Sequence, residues 1–125
     1  MIISVGKIGQ IGIVVKDLEK SLQVYWEELG IGPWKIWTYA PPITREMTYH
    51  GKSVVQKFKG AETMLGDLNV ELLMHIEGDT IYKDFLAKKN EGGLHHVSIY
   101  TNEIEPTLNK FRKAGIDVIQ SGKIG

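Results

Sequence analysis

Two stretches of this chain repeat one pattern 86 residues apart, and that repeat restricts the fold more than any single motif does. Ile11, Ile13 and Val15 match Val97, Ile99 and Thr101, alternating as one face of a strand. Leu18 and Leu22 match Ile104 and Leu108 at the spacing of an amphipathic helix. The glycine that stops each helix follows, Gly30 before Ile31 and Gly115 before Ile116, here 85 apart. If the copies pack about a pseudo-two-fold axis, the side chains at the two strand heads converge. At the common offset, Gln10 and His96 are equivalent positions.

The remaining elements follow from periodicity and punctuation. Ile8 to Val15 reads as a strand, and Asp17 as the N-cap of a three-turn helix whose inner face is Leu18, Leu22, Tyr25, Trp26 and Leu29. Trp34 to Tyr39 is rich in β formers and ends at Pro41-Pro42, while residues 43 to 53 are polar and fit no clear element. Trp34 and Trp37, three apart, are expected on opposite faces, one in the core and one lining a cavity. Val54 to Phe58 and Glu62 to Leu65 look extended, with Gly60 weakening the run between them. Gly66-Asp67 marks a turn, and Asn69 to Ile76 a strand. Ile81 to Lys89 reads as a short helix with Ile81, Phe85 and Leu86 inward. Asn102 is the expected cap of the next helix, with Ile104, Leu108, Phe111 and Ala114 on one face and Pro106 in its first turn. Ile116 to Gln120 begins a final strand.

Bulk properties narrow the function classes. The 125 residues suit one domain, and 15 Lys+Arg against 15 Asp+Glu leave no basic excess for nucleic acid. Cysteine is absent, so disulfides, zinc-thiolate centres and thiol nucleophiles are excluded, a usage compatible with the cytoplasm. No apolar run reaches the ~18 residues of a membrane span. Met1 to Lys7 lacks the charged-then-apolar order of a signal peptide.

The tandem His95-His96 sits behind Gly92-Gly93 at the head of a β-type run. Strand alternation puts His95 in register with Val97 and Ile99, and His96 with Ser98 and Tyr100. The apolar set is expected to meet the core, which leaves His96 as the candidate for chemistry.

Strand, helix and three strands, used twice, resembles the vicinal oxygen chelate superfamily, which includes glyoxalase I, extradiol dioxygenases and bleomycin-resistance proteins. The likeness is greatest to the methylmalonyl-CoA epimerase-like members. It rests on the run Ile11 to Lys20, on Val70-Glu71-Leu72-Leu73, and on Asp79 to Tyr100, above all Phe85 to His96. The resemblance implies an α+β fold of two βαβββ modules forming a cupped, barrel-like mixed sheet. The first module spans residues 6–77, and the second, read as truncated, 93–125.

It also implies a divalent metal (Co, Mn, Ni or Zn) held by four side chains. Carried over, His96 and Glu71 match two of them, and Gln10 stands where the epimerases have histidine. A fourth ligand would fall near position 157, beyond Gly125. An amide oxygen is a weaker ligand than imidazole for such metals. The implied activity is metal-dependent proton transfer next to a carbonyl, with Glu71 also serving as base, on a small molecule such as an acyl-CoA. His75, four residues past Glu71 on the same strand face, is a candidate substrate contact or a rim histidine, and Tyr100 a candidate cavity residue. Lys88, Lys89, Lys110, Arg112 and Lys113 are candidates for a CoA phosphate but are expected to face solvent. Two alternatives stay open: a glyoxalase I-like lactoylglutathione lyase, and a binding protein of the same fold without turnover. A homodimer is expected, because an incomplete second module leaves sheet edges exposed.

Overall fold

The computed structural model describes residues 6–125; residues 1–5, the start of the stretch read for a leader, lie outside the described residues. Five strands, β1 (Ile8–Val14), β2 (Lys35–Tyr39), β5 (Lys57–Leu65), β6 (Leu68–Glu77) and β7 (Gly93–Ile99), form a curved, open mixed sheet. Their order is β2-β5-β6-β1-β7. β1 runs parallel to β6 and antiparallel to β7. Residues 43–53, unassigned from sequence, supply β3 (Thr44–Tyr49) and β4 (Lys52–Ser53), which join β8 (Gln120–Ile124) in a second small sheet.

The duplicated strands face each other as a two-fold axis requires. Ile11 pairs with Val97, its own equivalent in the repeat. Around that pair, Gln10 lies opposite Ser98 and Gly12 opposite His96, so Gln10 and His96 share one sheet face, two positions apart.

Each face of the sheet is buried by a different helix. On the back face, Val15, Ala61 and Leu72 pack with Leu18 and Leu22 of α1 (Leu18–Gln23), joined by Tyr25 and Trp34. Asp17 caps α1 by accepting from the Lys20 N–H at 3.1 Å. The helix continues as a single π turn, Val24–Glu28, and stops at Gly30, whose φ of 66° glycine adopts without strain. The widened turn brings Tyr25 inward, edge-on to Trp34 at 5.7 Å, and leaves Trp26 and Leu29 exposed, contrary to their expected inner position. On the front face, Val14, Tyr39, Phe58 and Leu73 pack beneath Tyr82 of α2 (Ile81–Lys88). Ile81, Phe85 and Leu86 flank that cluster as expected, but Tyr82 is the residue α2 buries.

Three further differences have local causes. Gly60 does not interrupt β5, which runs unbroken for nine residues; the missing side chain makes room for its neighbours, as described below. The N-cap of α3 (Ile104–Lys113) is Glu103 rather than Asn102, and the Thr101 hydroxyl takes the Glu103 N–H at 3.0 Å. The last strand begins at Gln120 rather than Ile116, since its partner β3 reaches only to Tyr49, opposite Gln120. Among the described residues, no helix is long and apolar enough to cross a membrane.

Leu72 is fully buried, whereas Leu94 on β7 is 65% exposed. Leu72→Ala should therefore lower unfolding free energy by about 2–5 kcal/mol in a urea titration. Leu94→Ala should stay within about 0.5 kcal/mol of the parent.

Candidate active site

Register alone assembles the site. Glu62 on β5 pairs with Glu71 on β6, Glu71 with Gly12 on β1, and Gly12 with His96 on β7. Paired residues project to the same face, so two carboxyls, a bare glycine and an imidazole lie in one row across four strands. Two strand spacings, ~10 Å between Cα atoms, separate Glu71 from His96. Gly12 leaves the gap between them, and the His96 ring leans into it. A Cβ built on Gly12 would fall within that ring.

Glu71 is buried, and its environment holds it protonated. Burial first, then the hydrogen bond and negative charge of Glu62, push its pKa up to about 8; a weak bond from Tyr39 Oη to Glu71 Oε2, 3.5 Å long, acts the other way. Gly60 makes this packing possible. A Cβ there would lie 2.9 Å from the Tyr39 ring and 3.4 Å from Glu71 Oε2. Burial and the same carboxylates raise the Tyr39 phenol, which stays a proton donor.

The two histidines do not alternate. Gly12 pairs with His96, but the next residue, Ile13, pairs with Leu94, so His95 has no partner and forms a β-bulge. The bulge turns both rings to the front face, where the two Nδ1 atoms are 2.8 Å apart. The expectation that His95 faces the opposite side with Val97 is therefore corrected: an extra residue in the strand cancels the alternation. His95 is held edge-on by Phe85 at 4.9 Å and Tyr82 at 5.6 Å, and Val97 is exposed. Burial lowers the pKa of both imidazoles, so both are neutral at neutral pH. Aromatic rings thus run from one end of the row to the other: Tyr39 on Phe58, Phe58 against Tyr82, Tyr82 against His95, and His95 against His96.

Gln10 lies in the next row, within a directional belt of hydrogen bonds. Ser98 Oγ donates to Gln10 Oε1 at 2.9 Å, Gln10 Nε2 donates to Asn69 Oδ1 at 2.8 Å, and Asn69 Nδ2 donates to the Met64 sulfur at 3.6 Å. Both ends of the Gln10 amide are engaged, and an amide oxygen is a weaker ligand than the histidine it replaces. Among the described residues, no three His, Asp or Glu side chains come together as a metal would require. The donor set that the resemblance implies, His96, Glu71 and Gln10, does not fit a divalent metal in this arrangement.

The other candidates lie apart from the row. His75 is on the front face of β6 opposite Phe58, and its Nδ1 bonds Thr80 Oγ1 at 2.9 Å. Thr80 Oγ1 also accepts from the Lys83 N–H as the cap of α2. Tyr100 is exposed, with its ring over the Gly9 backbone. Glu62, Tyr39, Ser98 and Asn69 were missed from sequence. A signal for Glu62 was present: the Gly66-Asp67 turn stands midway between Glu62 and Glu71, which makes them cross-strand partners in a tight hairpin.

A profile of the Glyoxalase/Bleomycin resistance protein/Dioxygenase superfamily matches residues 9–125, and the chain belongs to that superfamily. Within it, the chain is similar to methylmalonyl-CoA epimerases. It is 30% identical over 121 residues to the mitochondrial enzyme of Mus musculus, covering 96% of this chain and 60% of that one. For the mitochondrial enzyme of Bos taurus the identity is 28% over 123 residues, covering 98% and 62%. The chain thus spans about three-fifths of the length of these curated relatives. A variant of Streptomyces coelicolor methylmalonyl-CoA epimerase, solved with 2-nitronate-propionyl-CoA, shares the fold at a TM-score of 0.64. That match has 20% identity and covers 92% of this chain and 74% of the other.

Two outcomes follow from the row. Gly12→Ala must displace the His96 ring, so the His96 side-chain NMR signals should shift while the far-ultraviolet circular dichroism stays unchanged. The raised Glu71 pKa means the native state keeps a proton that the unfolded chain releases. The stability this contributes is complete below pH about 4.5, declines as pH rises, and is gone above about 8. Urea midpoints across that window should fall with pH in the parent and stay flatter in Glu71→Gln.

Proposed function

We propose that the chain moves a proton at a carbon next to a thioester carbonyl, as an acyl-CoA epimerase does. The observation that carries the reading is the row in which protonated Glu71, backed by Glu62, and neutral His96 face each other across the gap at Gly12. Inversion at carbon needs one group to take a proton from one side and another to return one from the opposite side. A carboxyl raised toward neutrality and an imidazole suit that exchange near pH 7. In one direction His96 Nε2 accepts the α-proton and Glu71 delivers its own to the other side. The imidazolium and carboxylate so formed reset through solvent; in the reverse direction this ionised pair acts on the opposite epimer, the carboxylate taking the α-proton and the imidazolium returning one. Tyr39 and Glu62 hold the Glu71 carboxyl in place. The similarity to methylmalonyl-CoA epimerases supports a branched malonyl-type acyl-CoA as substrate. No step is routed through a metal, because the donor set does not fit one.

The test is exchange of the α-hydrogen of methylmalonyl-CoA in D2O. Exchange should occur in chelator-treated protein, and fall about 10²–10⁴-fold in Glu71→Gln and in His96→Asn. Exchange that appears only after Co, Mn, Ni or Zn is added would mean that Gln10 leaves Ser98 in the working site, and would overturn the metal-free assignment. Tight acyl-CoA binding without exchange under any of these conditions would instead make the chain a binding protein.

A further inference from the structure

We infer that a recess on the back of the sheet, between α1 and β2, binds a small organic cation of the alkylammonium class. The recess has a volume of about 380 Å³, within the range of small-molecule sites. Trp26 and Trp34 line it, Leu22 and Pro33 add apolar surface, and Glu19 and Glu27 add carboxylates; no lysine or arginine lines it. Ile36, at its floor, pairs with Ala61, which packs beneath α1. The recess therefore lies on the opposite face from the row of Glu62, Glu71 and His96, and its occupant is independent of the chemistry proposed there.

The local backbone brings the two indoles together. Ile31 is tied to the end of the helix, its N–H donating to the Tyr25 carbonyl at 2.8 Å. The Ile31 carbonyl in turn accepts the Trp34 indole N–H at 2.8 Å, and the Tyr25 ring meets Trp34 edge-on. Trp34 is thus a fixed wall, ordered before any ligand arrives. Trp26 comes from the π turn, a feature frequent at functional sites, and stays 54% exposed. Gly32 lets both rings close in. Its φ is 148°, and a Cβ there would lie 2.7 Å from Trp26 Cε3 and 3.0 Å from Trp34 Cδ1.

Indoles beside carboxylates select a positive charge carried on apolar groups. Indole is the aromatic side chain that attracts cations best, and alkylated ammonium ions are the ligands that such sites recognise. Glu19 and Glu27 supply the opposite charge, and among the described residues neither is in an ion pair. Lys59 and Lys20 line the adjoining recesses, beside Glu19 and Glu27 respectively, and leave both carboxylates available. A neutral apolar molecule would leave the carboxylates unused, and a bare metal ion the indoles. An alkylated ammonium uses both.

The experiment is titration of the full chain with tetramethylammonium chloride at constant ionic strength, read by the tryptophan indole NMR signals. Those of Trp26 and Trp34 should shift and saturate in the millimolar range. Those of Trp37, whose partner Gly60 places it on the front face, should not. tert-Butanol, of similar shape without the charge, should shift them far less. Trp26→Leu should weaken binding about 2–30-fold. Glu19→Gln with Glu27→Gln should weaken it by a similar factor, and more at low salt. All three side chains are exposed, so these variants should keep the parent circular dichroism. Equal shifts with tert-butanol would make this an apolar recess indifferent to charge and overturn the inference. Shifts that never saturate, or saturation unchanged in Trp26→Leu, would overturn it too. Indole signals that move on simple dilution of the chain would mean that a second copy covers Trp26, with the same consequence. The readout requires no turnover, so it is decided apart from the proposed function.

Discussion

Hydrogen bonding on both edges of β1 is the constraint on which the rest depends. On one side β1 runs parallel to β6, which brings Gly12 beside Glu71; on the other it runs antiparallel to β7, which brings Gly12 beside His96. A strand bonded on both edges holds its register, and a slip by one residue would exchange every side chain between the two faces. Gln10, Gly12 and Val14 would then trade places with Ile11, Ile13 and Val15. The polar row would meet α1, and the apolar set would line the site. The buried Val14 and Val15 make that slip costly from both directions. The row across the strands and the core packing are therefore secured by the same pairings.

Burial has different consequences for the polar groups in this framework. Glu71 answers by keeping a proton, because its near neighbours are a second carboxyl and a phenol rather than a cation. The histidines answer by staying neutral and sharing one proton. Gln10 answers by bonding at both ends. None of these groups needs a counter-ion, and the aromatic rings between Tyr39 and His96 enclose them without supplying charge. Such surroundings are compatible with the proton transfer proposed above.

Much of this was legible in the residues. The 86-residue repeat anticipated that Ile11 and Val97 are two-fold mates and that Gln10 and His96 converge on one face. His96 was singled out by strand alternation, Glu71 was carried over from the family resemblance, and Asp17 and Gly30 were read from their capping chemistry. The bulge was not legible: an extra residue is visible only against the strand it pairs with, and Leu94-His95-His96-Val97 is locally compatible with plain alternation. Gly60 misled because a glycine in a strand reads as weakness when its reason is a ring and a carboxyl on neighbouring strands. The belt through Ser98, Gln10 and Asn69 joins residues up to 88 positions apart, and their local sequence carries no sign of it.

That belt also determines how the site can change over generations. Its bonds all run one way, from the Ser98 hydroxyl through the Gln10 amide to Asn69. A neutral histidine at position 10 also offers one acceptor and one donor, but on ring nitrogens rather than at the end of a longer amide side chain, so the partners at 98 and 69 would have to meet it at other points. The three residues therefore form one epistatic unit, in which each replacement is acceptable or harmful according to the other two. Position 10 is therefore best read together with positions 69 and 98 rather than singly.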